Sequence, residues 1–368
     1  MEHPLRSETV PDGRAANADT SPKPGARMLS PRRATQVLLV ATVLGVCDQS
    51  YWQYSDVDHY FAGSWLPYVH GTGLAPEQYR IGVKMAAWWM VQHFSWQFRY
   101  GFTLMDVIAS TAGVLLIYNL LQNKQAIQGA NRALQWFASA GFLFLVCFYM
   151  AWVGFFFRPE TLPSVGLTAC MAWLWTRSAT KRGGTVLTIC GLLVAAAVQA
   201  WIRADIPCAL NAGIFLVSLT ASGRGLSISR RSALATSLIC IAVAAGTQLY
   251  IMRVLYPHAS YGPIPLIMVT HDLHQPLAFP PFLIFMLPLF WTVIQAWRQR
   301  STLDSGSKGL LIGAAIYFVL WIVMGKLDEV RIFIPFAVVL IPVTMELAER
   351  RIARDTGLAP DTGCEAEV

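Results

Sequence analysis

The sequence predicts an all-α fold, a polytopic transmembrane helical bundle of about ten spans. Three observations predict it. Of the 368 residues, 55% are hydrophobic and only 13% are charged, where a soluble domain carries about 25% charged residues; mean hydropathy is +0.46. The apolar residues fall in long unbroken runs. Because an unpaired backbone group in lipid costs several kcal/mol, such runs must be helices or barrel strands, and barrel strands would alternate apolar with polar residues. Finally, Lys and Arg occupy every second connection between the runs, the asymmetry that sets orientation during insertion.

Residues 1–34 are rich in Pro, Ala, Ser and charge, with no apolar period and no cleavable signal pattern, and are expected to be a disordered cytoplasmic tail. The membrane domain is expected over 35–350, with apolar stretches at 35–50, 102–121, 135–157, 161–176, 185–202, 206–221, 233–254, 280–297, 309–325 and 331–347. A helix needs roughly 17–25 residues to cross a hydrocarbon core of about 30 Å, so the shortest stretches, 35–50, 161–176 and 206–221, fall just short of it. Residues 351–368 form a second cytoplasmic tail.

The basic connections carry Arg27, Arg32 and Arg33; Lys124 and Arg132; Arg177, Lys181 and Arg182; Arg224, Arg230 and Arg231; Arg298, Arg300 and Lys308; and Arg350, Arg351 and Arg354. Both termini are therefore expected on the cytoplasmic side, with the working face extracytoplasmic. This bias, facing anionic lipid, accounts for the net charge of +7 and leaves no reading as a nucleic-acid binder. Seven cysteines without CxxC spacing give no disulfide framework.

Chemistry should sit at the outer connections. The first, 51–100, holds Ser55-Asp56-Val57-Asp58-His59-Tyr60, a turn at Gly71-Thr72-Gly73, and Pro76-Glu77-Gln78-Tyr79-Arg80 ahead of a helical stretch over 81–98. There Arg80, Lys84, Trp88, Gln92, Ser95 and Arg99 recur every three or four residues and share a stripe, among tryptophans suited to the membrane interface. Asp56 and Asp58, with Asp48 still within the outer end of the first span, offer either a general base or oxygen ligands for a divalent cation such as Mg or Mn.

Arg158-Pro159-Glu160 and Arg203-Ala204-Asp205 stand at two outer helix junctions, and Lys326-Leu327-Asp328-Glu329-Val330-Arg331 opens the last span in the same manner. Each acid is suited to a positive helix N-terminus, which would leave the arginine for an anion. Ion pairing at a helix end is the plainer account of any one pair; three clusters at one face point to a polar cavity. The connection over 255–279 carries His258, His271, Asp272 and His274 in a Pro-rich setting without a zinc-binding pattern.

This layout resembles the GT-C superfamily of membrane glycosyltransferases. The resemblance lies in the cytoplasmic N-terminus, the span number, the large first outer loop with interfacial helix, the acids of Ser55–Tyr60, the Arg-Pro-acid step at Arg158–Glu160 and the Glu-x-Arg-x-x-x-Pro run from Glu329 to Pro335. It implies inverting transfer of a sugar from a polyprenyl-phosphate donor to a glycan, lipid or protein acceptor at the outer face of a bacterial inner membrane. In that reading Asp56 or Asp58 is the base, and Asp48, His59, Arg80, Lys84, Arg158, Glu160, Arg203, Asp205, Glu329 and Arg331 bind the substrates. Two rivals are an O-antigen-type polymerase or ligase, whose main loop lies late in the chain, and a transporter, for which Asp106 is the best intramembrane acid. A non-catalytic membrane scaffold is a further alternative.

Overall fold

The computed structural model describes residues 31–60, 65–122, 140–146, 148–152, 158–177, 182–220, 225–260, 267–274, 277, 279–327 and 329–356. These residues are helical with short connections, and no strand occurs among them. The principal helices are α1 (Pro31–Tyr60), α2 (Gly82–Phe94), α3 (Phe98–Gln122), α4 (Thr161–Thr176), α5 (Arg182–Arg203), α6 (Asp205–Thr220), α7 (Arg230–Tyr250), α8 (Phe279–Arg298), α9 (Ser305–Met324) and α10 (Ile334–Asp355). Among the described residues, six helices are long and apolar enough to cross a membrane: α3, α5, α7, α8, α9 and α10, the seventh and tenth with a short extension. The chain is a multi-pass membrane protein.

Most expected apolar stretches fall on one of these helices; of 135–157 the residues 140–146 and 148–152 are described and helical, and the N-terminal tail lies largely outside the described residues. Two helices differ in extent. Helix α1 starts at Pro31, inside the segment expected to be disordered, and runs on to Tyr60, ten residues beyond the apolar run. The reason is amphipathicity: Val46, Ser50, Tyr54 and Val57, spaced by four, four and three, are buried, so the helix stays docked after lipid-facing hydrophobicity ends. Helix α2 ends at Phe94, short of the expected stretch over 81–98, because Ser95 turns left-handed at φ 53° and Arg99 belongs to α3, so neither continues the expected stripe; within α2, Lys84 points inward with Val83 and Ala87, while Met85, Trp89 and Phe94 are exposed.

The centre of the bundle is α10. It is apolar all round from Ile334 to Val343, and 94% of its apolar stretch is buried, against 17% for the peripheral stretch of α7. A helix without a polar face belongs in the middle. Close approach of the remaining helices relies on small residues. A Cβ on Gly213 of α6 would lie 2.3 Å from the Gly309 carbonyl oxygen of α9. One on Gly166 of α4 would lie 2.7 Å from the Ala109 oxygen of α3. Packed this way, the C-terminal halves of α1 and α5 and the first turns of α3, α4, α6 and α10 converge at one end of the bundle.

Candidate functional site

Charged side chains from four separate parts of the sequence meet at that end. The segment ahead of α2 is built first. Gly71 is left-handed at φ 76°, and a Cβ on Gly73 would run into the Tyr68 ring at 2.3 Å, so this turn requires glycine. Gln78 is wholly buried and locks the turn: its Oε1 accepts from Gly73 N at 2.8 Å and its Nε2 donates to Tyr68 O at 2.9 Å. The result presents Glu77, which accepts a 2.9 Å hydrogen bond from Tyr68 OH, together with Arg80 and Lys84.

Glu160 lies at the middle of the cluster. It is 2% exposed, occupies the N-cap position of α4 without capping it, and neither carboxylate oxygen has a hydrogen-bond partner. Arg80 approaches it to 3.7 Å. Burial alone would raise the Glu160 carboxyl, but Lys84, Arg80, Arg158 and Arg331 outweigh it and hold the group down at about 2. Lys84 is also buried, with Nζ 3.3 Å from Glu77 O and 4.7 Å from the Tyr68 ring centre. Burial pushes its ammonium down, Glu160 draws it back up, and Arg80 adds to the downward push.

The three expected Arg-acid devices are not alike. Arg158 does not pair with Glu160 two residues on; it pairs with Glu77, 81 positions earlier. Arg203 and Asp205 do close on each other at 2.7 Å. Asp205 also accepts from Trp321 Nε1 at 2.7 Å, and Arg203 also donates to Tyr317 OH at 2.5 Å, so this pair is satisfied by structural partners. Arg331 bonds Glu329 at 2.7 Å, leaving its Nε buried and without a partner. The Arg80 backbone is bonded, its N–H to Glu77 O at 3.1 Å and its carbonyl to Lys84 Nζ at 3.4 Å, while its guanidinium holds the ion pair with Glu160 and lies 5.5 Å from the Trp321 ring centre. Of these groups, Arg80 retains the most donor capacity for a ligand.

The acids of the first helix fall elsewhere. Asp48, Trp52 and Asp56 form an exposed stripe on α1, opposite the buried stripe of Ser50 and Tyr54, and Asp48 accepts from Trp52 Nε1 at 3.2 Å. Asp58 and His59 are on the same helix, and their side chains lie outside the described residues. On the inward side the carboxylate is Asp106 of α3, 3% exposed, which accepts from Ser50 Oγ and Tyr54 OH at 2.9 Å each. Its place in an apolar span, a few residues inside the outer end, marked it in the sequence only as the best intramembrane acid for a transporter; its α1 partners had no such signal. Among the described residues no group of three or more His, Cys, Asp or Glu is arranged to hold a metal ion, and His258 and His274 are exposed.

An apolar groove of about 760 Å³, with no charged residue in its lining, runs between the helices that carry the cluster. Its walls are α2, α3, α4 and α5, through residues such as Val83, Met105, Ala112, Pro163, Gly166 and Trp201. Along α3 it runs from Met105 to Leu116, about 16 Å at 1.5 Å per residue. Its head is contiguous in sequence with the charges: Val83 precedes Lys84, Pro163 follows Glu160 by three residues, and Ile202 precedes Arg203. The arrangement can hold an amphiphile whose anionic head meets the guanidinium groups while its chain lies in the groove. No protein-family model, curated protein or solved structure matches this chain.

Proposed function

We propose that this protein is a GT-C-type integral-membrane glycosyltransferase, moving a sugar from a polyprenyl-phosphate donor to an acceptor hydroxyl at the extracytoplasmic face. What supports the reading is an apolar groove whose lining residues Val83, Pro163 and Ile202 stand within three positions of charged residues of the cluster: the groove suits a prenyl chain, and Arg80, Lys84, Arg158 and Arg331 around Glu160 suit its phosphate.

The chemistry follows from charge. Departure of the sugar turns a phosphodiester into a phosphomonoester with an additional negative charge, and donors fixed where that charge develops have the greatest effect on rate. Arg80, with unused N–H groups, is the principal phosphate ligand; Lys84 and Arg331 supply field from behind it. Glu160 keeps four cations together before substrate arrives, since without it their mutual repulsion would open the site. A carboxylate of the site takes the acceptor's proton, and direct attack inverts the anomeric centre. The expected ten spans, cytoplasmic termini and bacterial inner membrane belong to the same reading.

The test is turnover of radiolabelled polyprenyl-phosphate sugars by the purified protein in liposomes. Transfer or release of label, lost in Arg80→Ala, supports the proposal. Absence of turnover with every donor, together with solute uptake into the liposomes, would assign the protein to transport.

A further inference from the structure

We propose that Asp106 is the catalytic base, and that the small cavity it shares with Ser50, Tyr54 and Arg158 seats the acceptor hydroxyl; this rests on the transferase reading above.

The carboxylate is satisfied on one oxygen alone. Both neighbouring hydroxyls donate to Oδ2, while Oδ1 is buried and has no partner. It makes no ion pair among the described residues, although Arg158 lines the same cavity. A buried acceptor oxygen left bare costs free energy and is retained where a ligand will meet it. The cavity measures about 20 Å³; besides the residues already named, Gln49, Gln53 and Thr161 line it, together with the apolar Val46, Met150 and Leu162. A water-sized group needs about 10–15 Å³ on this measure, so the space fits one hydroxyl.

Position completes the case. Arg158 lines the cavity on one side and pairs with Glu77 of the cation cluster on the other, so the hydroxyl seat adjoins the proposed phosphate seat. The exposed stripe of Asp48 and Asp56 faces away from both. Titratable and charged groups facing Asp106 are Tyr54 of α1 and, ahead of α4, Arg158 and Glu160.

In the reaction the acceptor O–H proton passes to Asp106 Oδ1 as the oxygen's electron pair forms the bond to the anomeric carbon. The bond from that carbon to the phosphate oxygen breaks, and its electron pair leaves on the phosphate. Asp106 returns its proton to water once product has gone. Ser50 and Tyr54 are positioning residues that hold the carboxylate through Oδ2.

The experiment measures turnover of radiolabelled undecaprenyl-phosphate sugars in liposomes by the parent, Asp106→Asn, Asp106→Glu and Asp56→Asn, with undecaprenyl phosphate binding measured in parallel. Loss of a general base predicts a fall in kcat of about 10²- to 10⁴-fold in Asp106→Asn, with binding retained, the acid limb of the parent's pH profile gone, and partial recovery in Asp106→Glu. Full turnover in Asp106→Asn, or loss confined to Asp56→Asn, overturns the assignment while the transferase reading stands. Loss of binding together with turnover shows a structural role and also overturns it. If Asp106→Asn does not fold, Tyr54→Phe substitutes: a changed pH profile at unchanged KM is expected, and an unchanged profile refutes the role. A parent that turns over no donor sinks the transferase reading and this inference with it.

Discussion

Replacing Glu160 by Gln removes the one carboxylate on which four cations converge, and the structure sets the size of the effect. A carboxyl group ordinarily titrates near 4.5, and in the folded protein this one is held at about 2. Each factor of ten in proton affinity is worth about 1.4 kcal/mol, so the ionised Glu160 contributes roughly 3 kcal/mol. The sign is fixed by linkage. Because the folded value is the lower one, the contribution is fully present above 4.5 and is lost as pH falls from there through 2. Unfolding of parent and Glu160→Gln, titrated with denaturing detergent at a series of pH values, isolates this carboxyl from all others. The variant should be less stable at neutral pH by about 3 kcal/mol or more, since removing one partner leaves the buried Lys84 without its opposing charge and Arg80 without its ion pair. The difference should shrink across the acid range as the parent's Glu160 protonates. Equal stability at neutral pH, or a difference that does not change with acid, would refute the account of the cluster.

Other outcomes follow from the same geometry. Arg80→Ala removes the guanidinium with free donors, and a charge-assisted hydrogen bond is worth about 1.5–3 kcal/mol, so undecaprenyl phosphate should bind about tenfold to a hundredfold more weakly; quenching in Trp321→Phe and parent proteins reports it, since that ring lies beside Arg80. Ala112→Phe fills the apolar groove and should raise KM for long-chain donors while sparing short-chain ones; an equal rise for both would separate the groove from the prenyl chain. Gly213→Ala forces a methyl group against the Gly309 carbonyl and should lower unfolding free energy by about 1–3 kcal/mol. A change of less than about 0.5 kcal/mol there would show that α6 and α9 can separate freely.

Much of the fold was readable because lipid imposes a simple rule: a run of apolar residues as long as 102–121 or 280–297 has little alternative to a helix. The end of α1 was less readable, because its last turns are held by an amphipathic stripe rather than by hydropathy. Extending the helix to Tyr60 at four-residue spacing would have put Ser50 and Tyr54 inward and Asp56 outward. The charged residues of the site were visible by their placement at helix junctions, and Arg80, Lys84, Arg158, Glu160 and Arg331 do come together. Their partners were not. Arg158 passes over the nearby Glu160 for Glu77, and Arg203 is closed off by Trp321 and Tyr317 from α9, choices made by tertiary packing alone. The groove is likewise a gap among four helices that no single segment encodes.

The most direct test of the lipid-phosphate site is crosslinking with a photoreactive undecaprenyl phosphate, mapped by peptide mass spectrometry in liposomes. The account predicts labelling concentrated between Met105 and Leu116 of α3 and between Pro163 and Cys170 of α4, competed by unlabelled undecaprenyl phosphate and diminished in Arg80→Ala. Labelling spread evenly over lipid-exposed faces such as those of α7 and α8, indifferent to competitor and to Arg80, would contradict it.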